Sequence, residues 1–174
     1  TNNEEKRVAI VPDIAKKLVN DGHTVLIEKN AGISSFFSNE AYIDAGAEIS
    51  SSDDIILKSD ILLVVNLPSN EILSRQKKGS NIIGLLNPYD NQKSFDHFKN
   101  RTLSAFSMEL VPRITRAQSM DVLSSQANLS GYRAIITATS LYSKSMAMMM
   151  TAAGTVAPAK VFVMGVGVAG LQAI

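Results

Sequence analysis

The chain has 174 residues, 45% of them apolar and 19% charged, so it can bury a sizeable core and wholesale disorder is excluded. Seventeen Lys and Arg stand against 16 Asp and Glu, and a net charge of +1 gives no long-range field for nucleic acid or an anionic membrane. Cysteine is absent, which rules out a disulfide framework, thiol catalysis and a Cys-based metal site.

Short apolar runs alternate with amphipathic ones from the start of the chain. Residues 7–11, from Arg7 to Val11, predict a strand. Pro12 suits the first position of a helix, and Asp13 places negative charge in its first turn. Ile14, Ala15, Leu18 and Val19 recur at helical spacing until Asp21 and Gly22 end the helix. Residues 24–28 predict a second strand and complete a β-α-β unit. Residues 39–45 read as a helix closed by Gly46, and Ser52, Asp53 and Asp54 as a capped helix start. The nearly all-apolar residues 60–65 predict a strand covered on both faces, as in a parallel sheet. A helix over 69–78, a strand over 81–86, a turn at Asn87-Pro88-Tyr89, a helix over 92–99 and a strand over 102–106 continue the pattern. Such alternation defines an α/β domain, an open parallel sheet of flavodoxin-like or Rossmann-like type with right-handed crossovers.

Beyond Phe106 the character changes. Residues 107–119 form a polar connection carrying Arg113 and Arg116, and residues 120–142 predict a long helix. Leu123, Ala127, Leu129, Ala134, Ile135 and Ala138 can cover one side of it, although Gly131 weakens it by about 1 kcal/mol. A helix of that length, about 30 Å or more, can bridge two domains. The expected boundary therefore falls inside it, with residues 1–125 as the N-terminal α/β domain. Residues 126–174 are then the interdomain helix and the beginning of a second domain. The apolar stretch 145–174 is interrupted by Lys160 and several glycines, so it predicts protein interior rather than a membrane span. Met146, Met148, Met149 and Met150 read there as core filling.

Residues 160–164 predict a buried strand, and Gly165-Val166-Gly167-Val168-Ala169-Gly170 follows it as G-x-G-x-x-G opening a helix. In a dinucleotide site the first glycine permits the tight turn, the second lets backbone approach a pyrophosphate, and the third lets helix and strand pack closely. The helix start, from Val168 and Ala169 onward, supplies N–H groups and positive dipole. The acidic residue that binds the adenosine ribose is expected about 20 residues beyond the glycines, past Ile174. The 174 residues are therefore expected to belong to a longer polypeptide.

The stretch from Arg113 through Ile114, Thr115, Arg116, Ala117, Gln118, Ser119 and Met120 to Asp121, Ser124 and Asn128 resembles the signature of proton-translocating NAD(P) transhydrogenases, in the NAD(H)-binding alpha subunit. Gly131-Tyr132-Arg133-Ala134, residues 148–155, the glycine loop and the opening Glu5-Lys6-Arg7-Val8-Ala9 are similar to it as well. Alanine dehydrogenases share the two-domain architecture. The resemblance implies an Arg-Gln-Asp loop at the nicotinamide end of NAD(H), here Arg113, Gln118 and Asp121, facing an NADP(H)-binding domain of a partner subunit. Arg116 and Ser124 join the expected cofactor contacts, and Ser124, one turn past Asp121, is placed for a ribose. It further implies a homodimer, a beta subunit and a membrane domain as partners, and a position on the cytoplasmic face of a bacterial inner membrane without insertion of this chain. In alanine dehydrogenases a Lys and a His follow the fourth and fifth strands. The matching positions here are Asn66 and Asn87, neither of which is a general acid. Arg7 matches that family's substrate-carboxylate arginine. The departure favours hydride transfer between two nicotinamides, in which no proton moves at the reacting carbon, over reduction of an imine.

Overall fold

The computed structural model describes residues 5–174. The chain divides into two compact units between Val111 and Pro112. In the first unit, helices α1 (Pro12–Asn20), α2 (Asn39–Asp44), α3 (Ser52–Lys58), α4 (Asn70–Arg75) and α5 (Phe95–Arg101) alternate with strands β1 (Leu26–Glu28), β2 (Glu48–Ser50), β3 (Ile61–Asn66), β4 (Asn81–Leu85) and β5 (Ser104–Ser107). Every strand pair in this unit is parallel: β1 with β2, β3 with β4 and β4 with β5.

Local chemistry explains where these helices start. Pro12 opens α1, and the hydroxyls of Ser38, Ser51 and Ser69 accept from the backbone N–H groups of Ala41, Asp54 and Ile72 at the starts of α2, α3 and α4. Each satisfies a donor that the helix itself leaves open. Two apolar clusters hold the unit together. Ala15, Val25, Ile27, Tyr42, Ala45 and Ala47 pack α1 and α2 around β1, and the Tyr42 hydroxyl donates to the Ile10 carbonyl at 2.8 Å. Leu73, Ile82, Leu86 and Phe98 pack α4 and α5 around β4. Fully buried Leu73 and Ile82 each contribute roughly 1.5–3 kcal/mol.

Several expectations are corrected. Residues 7–11 form bends and extended coil rather than a strand, because no strand pairs with them among the described residues. The five strands form two sheets, β1-β2 and β3-β4-β5, instead of one. β3 is only half covered and Ile61 stands 53% exposed, although its composition predicts burial on both faces. The helix expected over 69–78 is only Asn70–Arg75, with Ser69 as its cap.

The second unit opens with a 3₁₀ turn, Thr115–Met120, and continues into helix α6 (Val122–Leu141). A hairpin of β6 (Met149–Thr151) and β7 (Gly154–Val156) follows, then the short helix α7 (Val168–Ala173). Leu123, Ala127 and Ile135 are half-buried, whereas Leu129, Ala134 and Ala138 are exposed, so the apolar face of α6 is narrower than its sequence suggests. Met148, Met149 and Met150 lie on the exposed hairpin instead of filling a core. Residues 160–164 are extended without a ladder, and Phe162 and Met164 stand out from the chain. A strand needs a hydrogen-bonded neighbour, and the described residues supply none there.

Candidate functional site

The glycine loop has the backbone that its spacing predicts. Gly165 has φ +102°, a conformation an L side chain rarely adopts. A Cβ at Gly170 would sit 2.0 Å from the Gly165 carbonyl oxygen, so the turn closes only without one. Gly167 is the cap of α7, and the position its Cβ would take has no neighbour within 4 Å. That combination fits a dinucleotide: a tight turn with open backbone at its centre, where a side chain would otherwise project. By position, the N–H groups of Val168, Ala169 and Gly170 belong to the first turn and have no carbonyl four residues back within the helix. Beneath the loop, α6 approaches closely. A Cβ at Gly131 would lie 2.1 Å from the Ala169 carbonyl oxygen, which explains a glycine in mid-helix.

At the other end of α6, Asp121 is the helix cap. Its Oδ1 accepts from the Ser124 backbone N–H at 2.9 Å, and its Oδ2 from the Ser124 hydroxyl at 2.7 Å. The Ser124 hydroxyl, its backbone N–H and the nearby positive charge of Arg113 hold the Asp121 carboxyl below the usual carboxylate range. The structure thus joins Asp121, Ser124 and Arg113 electrostatically. Ala117 is buried and pins the 3₁₀ turn, while Arg113, Arg116 and Gln118 face solvent around it. Arg113 and Gln118 carry N–H donors on exposed side chains, whereas the Ser124 proton is already given to Asp121, leaving its oxygen as an acceptor.

The first unit presents a second polar site, at the carboxyl ends of β3 and β4. Asn66, Ser69, Asn70, Asn87, Asn91 and Ser94 supply the polar lining of a cavity of about 380 Å³. Among the described residues no Lys or His lines it. Beside it, Glu5 Oε2 accepts from Asn66 Nδ2 and Arg7 Nη2, both at 2.7 Å, and Oε1 from Arg7 Nε at 2.8 Å and Arg7 N at 3.0 Å. The Arg7 side chain, ahead of the other donors, brings the Glu5 carboxyl down to about 2. Asn87 adopts a left-handed φ of +44°, and the Glu109 carboxylate accepts from the backbone N–H groups of Asn87 and Leu86. Burial pushes the Glu109 carboxyl up, but backbone donors outweigh it and the group lies below its ordinary value. Sequence reading misses both carboxylates. The Glu5–Arg7 spacing carries a weak signal, but Glu109 lies 22 residues from Asn87 and nothing local marks it.

The chain can now be placed among known proteins. Residues 1–130 match the family model for the alanine dehydrogenase/PNT N-terminal domain, and residues 134–174 match that for the C-terminal domain. The chain belongs to the alanine dehydrogenase/PNT family. It is 47% identical over 176 residues to an NAD(P) transhydrogenase subunit alpha of Rickettsia prowazekii, covering 98% of this chain and 46% of that protein. A solved structure of transhydrogenase from Sinorhizobium meliloti is 46% identical and superposes with a TM-score of 0.95 over 99% of this chain and 52% of that one. Alanine dehydrogenase from Staphylococcus haemolyticus is 28% identical over 174 residues, covering 98% of this chain and 46% of that protein. The chain spans about half the length of these relatives. Among the described residues no helix is long and apolar enough to cross a membrane.

Proposed function

We propose that this chain belongs to the NAD(H)-binding component of a proton-translocating NAD(P) transhydrogenase. Bound NADH supplies the hydride, and NADP⁺ held by a partner domain receives it. Gly165 and Gly167, with the N–H groups of Val168, Ala169 and Gly170, would hold the pyrophosphate. Arg113, Arg116, Gln118 and Asp121 would line the nicotinamide end, with the Ser124 oxygen accepting from a ribose hydroxyl. Arg113 donates charge-assisted hydrogen bonds, Gln118 both donates and accepts, and Asp121 accepts from a carboxamide.

One observation carries the choice between the two activities found among the relatives. The cavity at the carboxyl ends of β3 and β4 is lined by amides and hydroxyls, with Asn66 and Asn87 at the strand ends. Reduction of an imine or ketone needs a proton donor at that point, and none of these groups is an adequate acid. Transfer between two nicotinamide rings needs positioning and electrostatics instead. The higher identity to transhydrogenase subunits than to alanine dehydrogenases supports the same reading.

The partners follow from it: a second copy of this subunit, a beta subunit carrying NADP(H), and a membrane domain that couples transfer to proton movement. The β6–β7 hairpin, exposed along both strands and carrying Met149 and Met150, suits burial between copies, since an isolated two-stranded ribbon is marginal in water. The complex would lie on the cytoplasmic face of a bacterial inner membrane. Titration of the full-length polypeptide with NADH, followed by fluorescence, tests the cofactor assignment. Saturable enhancement that Gly165→Ala reduces at least about tenfold is expected, because a side chain there must adopt a strained φ. A correctly folded protein with no enhancement would refute it.

A further inference from the structure

The chain leaves β5 through residues 108–112, of which Glu109 alone has a polar side chain; Met108, Leu110, Val111 and Pro112 are apolar. Glu109 reaches back to the end of β4. Its Oε1 accepts from the Asn87 N–H, and its Oε2 accepts from the Leu86 N–H at 3.3 Å. Successive backbone N–H groups of a turn form a cradle for an anion, and here the chain supplies the anion itself. We propose that Glu109 is a positioning residue for the Arg113–Asp121 loop: by filling this cradle it ties the chain to the end of β4, four residues ahead of Arg113. The inference rests on the transhydrogenase reading above, in which Arg113 meets the nicotinamide end of NADH.

Three observations carry it. Among the described residues, every other hydrogen bond of residues 109–121 closes within four residues of its donor, as from Val111 N–H to Met108, from Ala117 N–H to Ile114 and from Ser124 to the Asp121 cap. The two bonds to Glu109 reach 22 and 23 residues back along the chain. The receiving turn is rigid. Asn91 Nδ2 donates to the Leu86 and Asn87 carbonyls at 3.2 and 3.1 Å, and Asn87 Nδ2 donates to Asp90 at 2.7 Å. Both backbone polar groups of Leu86 and of Asn87 are thereby engaged. The link from this anchor to Arg113 is short and stiff. Four residues span at most about 14 Å, Pro112 fixes its own φ, and Val111 before it is extended at φ −57° and ψ 125°. Burial pushes the Glu109 carboxyl up, but its hydrogen-bond donors hold it below the ordinary value, so the anion persists at neutral pH.

The tether acts on the nucleotide through Arg113 and not by touching it. A displacement of about 1 Å at a positioning group can slow transfer about a hundredfold. The glycine loop that would hold the pyrophosphate is far along the chain, at Gly165 to Gly170, so NADH binding should suffer less than transfer does.

A double-mutant cycle on the full-length polypeptide, assayed with the NADP-binding partner domain, tests the proposal. Glu109→Gln retains one acceptor oxygen and should lower kcat for hydride transfer about tenfold, and Glu109→Ala should lower it further. NADH affinity should change by less than about threefold in Glu109→Gln. In an Arg113→Ala background, Glu109→Gln should cost less than about twofold more, because the residue through which it acts is gone. Full activity of Glu109→Gln would overturn the inference, and so would losses that multiply in the double variant, since Glu109 would then act without Arg113. A wild-type protein that binds NADH but passes no hydride to NADP⁺ would instead sink the transhydrogenase reading, and the inference with it.

Discussion

Glu5 collects four donors from two residues, and that clustering makes a pH-dependent prediction. Its carboxyl lies at about 2, below the ordinary 4.5, so its stabilisation is complete above the ordinary value and disappears as pH falls through that interval. The difference in thermal midpoint between wild type and Glu5→Gln should therefore shrink as the solution is acidified from about pH 6 toward pH 2. A difference that stays constant would mean the carboxylate is not held as described. Arg113 makes a functional prediction. It is exposed in the coil just before the 3₁₀ turn that Ala117 anchors, so Arg113→Ala should leave the melting temperature nearly unchanged. The same change should weaken NADH binding or hydride transfer by about 10- to 100-fold, the range for a lost hydrogen bond to a charged group. Asp121 combines a structural and a proposed binding role in one carboxylate. Asp121→Asn keeps a side chain able to cap α6, so comparing it with Asp121→Ala separates the two. Asparagine should restore stability, and nucleotide binding should remain impaired in both.

At the scale of the helix, Gly131 reverses the usual preference for alanine. Propensity alone favours Gly131→Ala by about 1 kcal/mol. The added Cβ would meet the Ala169 carbonyl at 2.1 Å, however, and overpacking of this kind costs about 1–3 kcal/mol. Gly131→Ala should therefore lower stability and loosen the glycine loop, as read by chemical denaturation and NADH titration. A more stable variant with unchanged binding would show that α6 and α7 can move apart freely. The same contact shows what is legible in the sequence and what is not. Pro12 and the G-x-G-x-x-G loop act through neighbours a few residues away, so their spacing reveals them. The serine caps instead fall at Ser38 and Ser51, one residue before the sequence reading starts those helices, and at Ser69, which it takes as helical. The role of Gly131 depends on the distant Ala169 carbonyl, and from helix propensity it reads as a weakness. Residues 7–11 and 160–164 show the complementary failure. Both have strand composition, but a strand exists only where a ladder partner lies alongside, and composition does not contain that information. The Met cluster escapes sequence reading for the same reason, because apolar character does not say which surface will cover it.

Across the whole molecule, two features argue for nucleotide-to-nucleotide transfer: a glycine loop shaped for a dinucleotide, and a polar cavity lacking an acid. The Asn positions at the ends of β3 and β4 are legible from strand order. The left-handed Asn87 and the Glu109 carboxylate that holds its backbone are not, since they arise from a turn and a long-range contact. Installing one acid should not by itself create an amino-acid dehydrogenase, because Arg7, which the resemblance matches to the arginine for such a substrate's carboxylate, is paired with the Glu5 carboxylate. Asn87→His is thus expected to add no detectable pyruvate reduction. The most direct measurement compares two acceptors for NADH with the full-length polypeptide. NADP⁺ is supplied together with the NADP-binding partner, and pyruvate with ammonium is supplied without it. NADH oxidation with the first and none with the second is the expected result. Turnover of pyruvate and ammonium in the absence of any partner would contradict it and make the chain part of an amino-acid dehydrogenase.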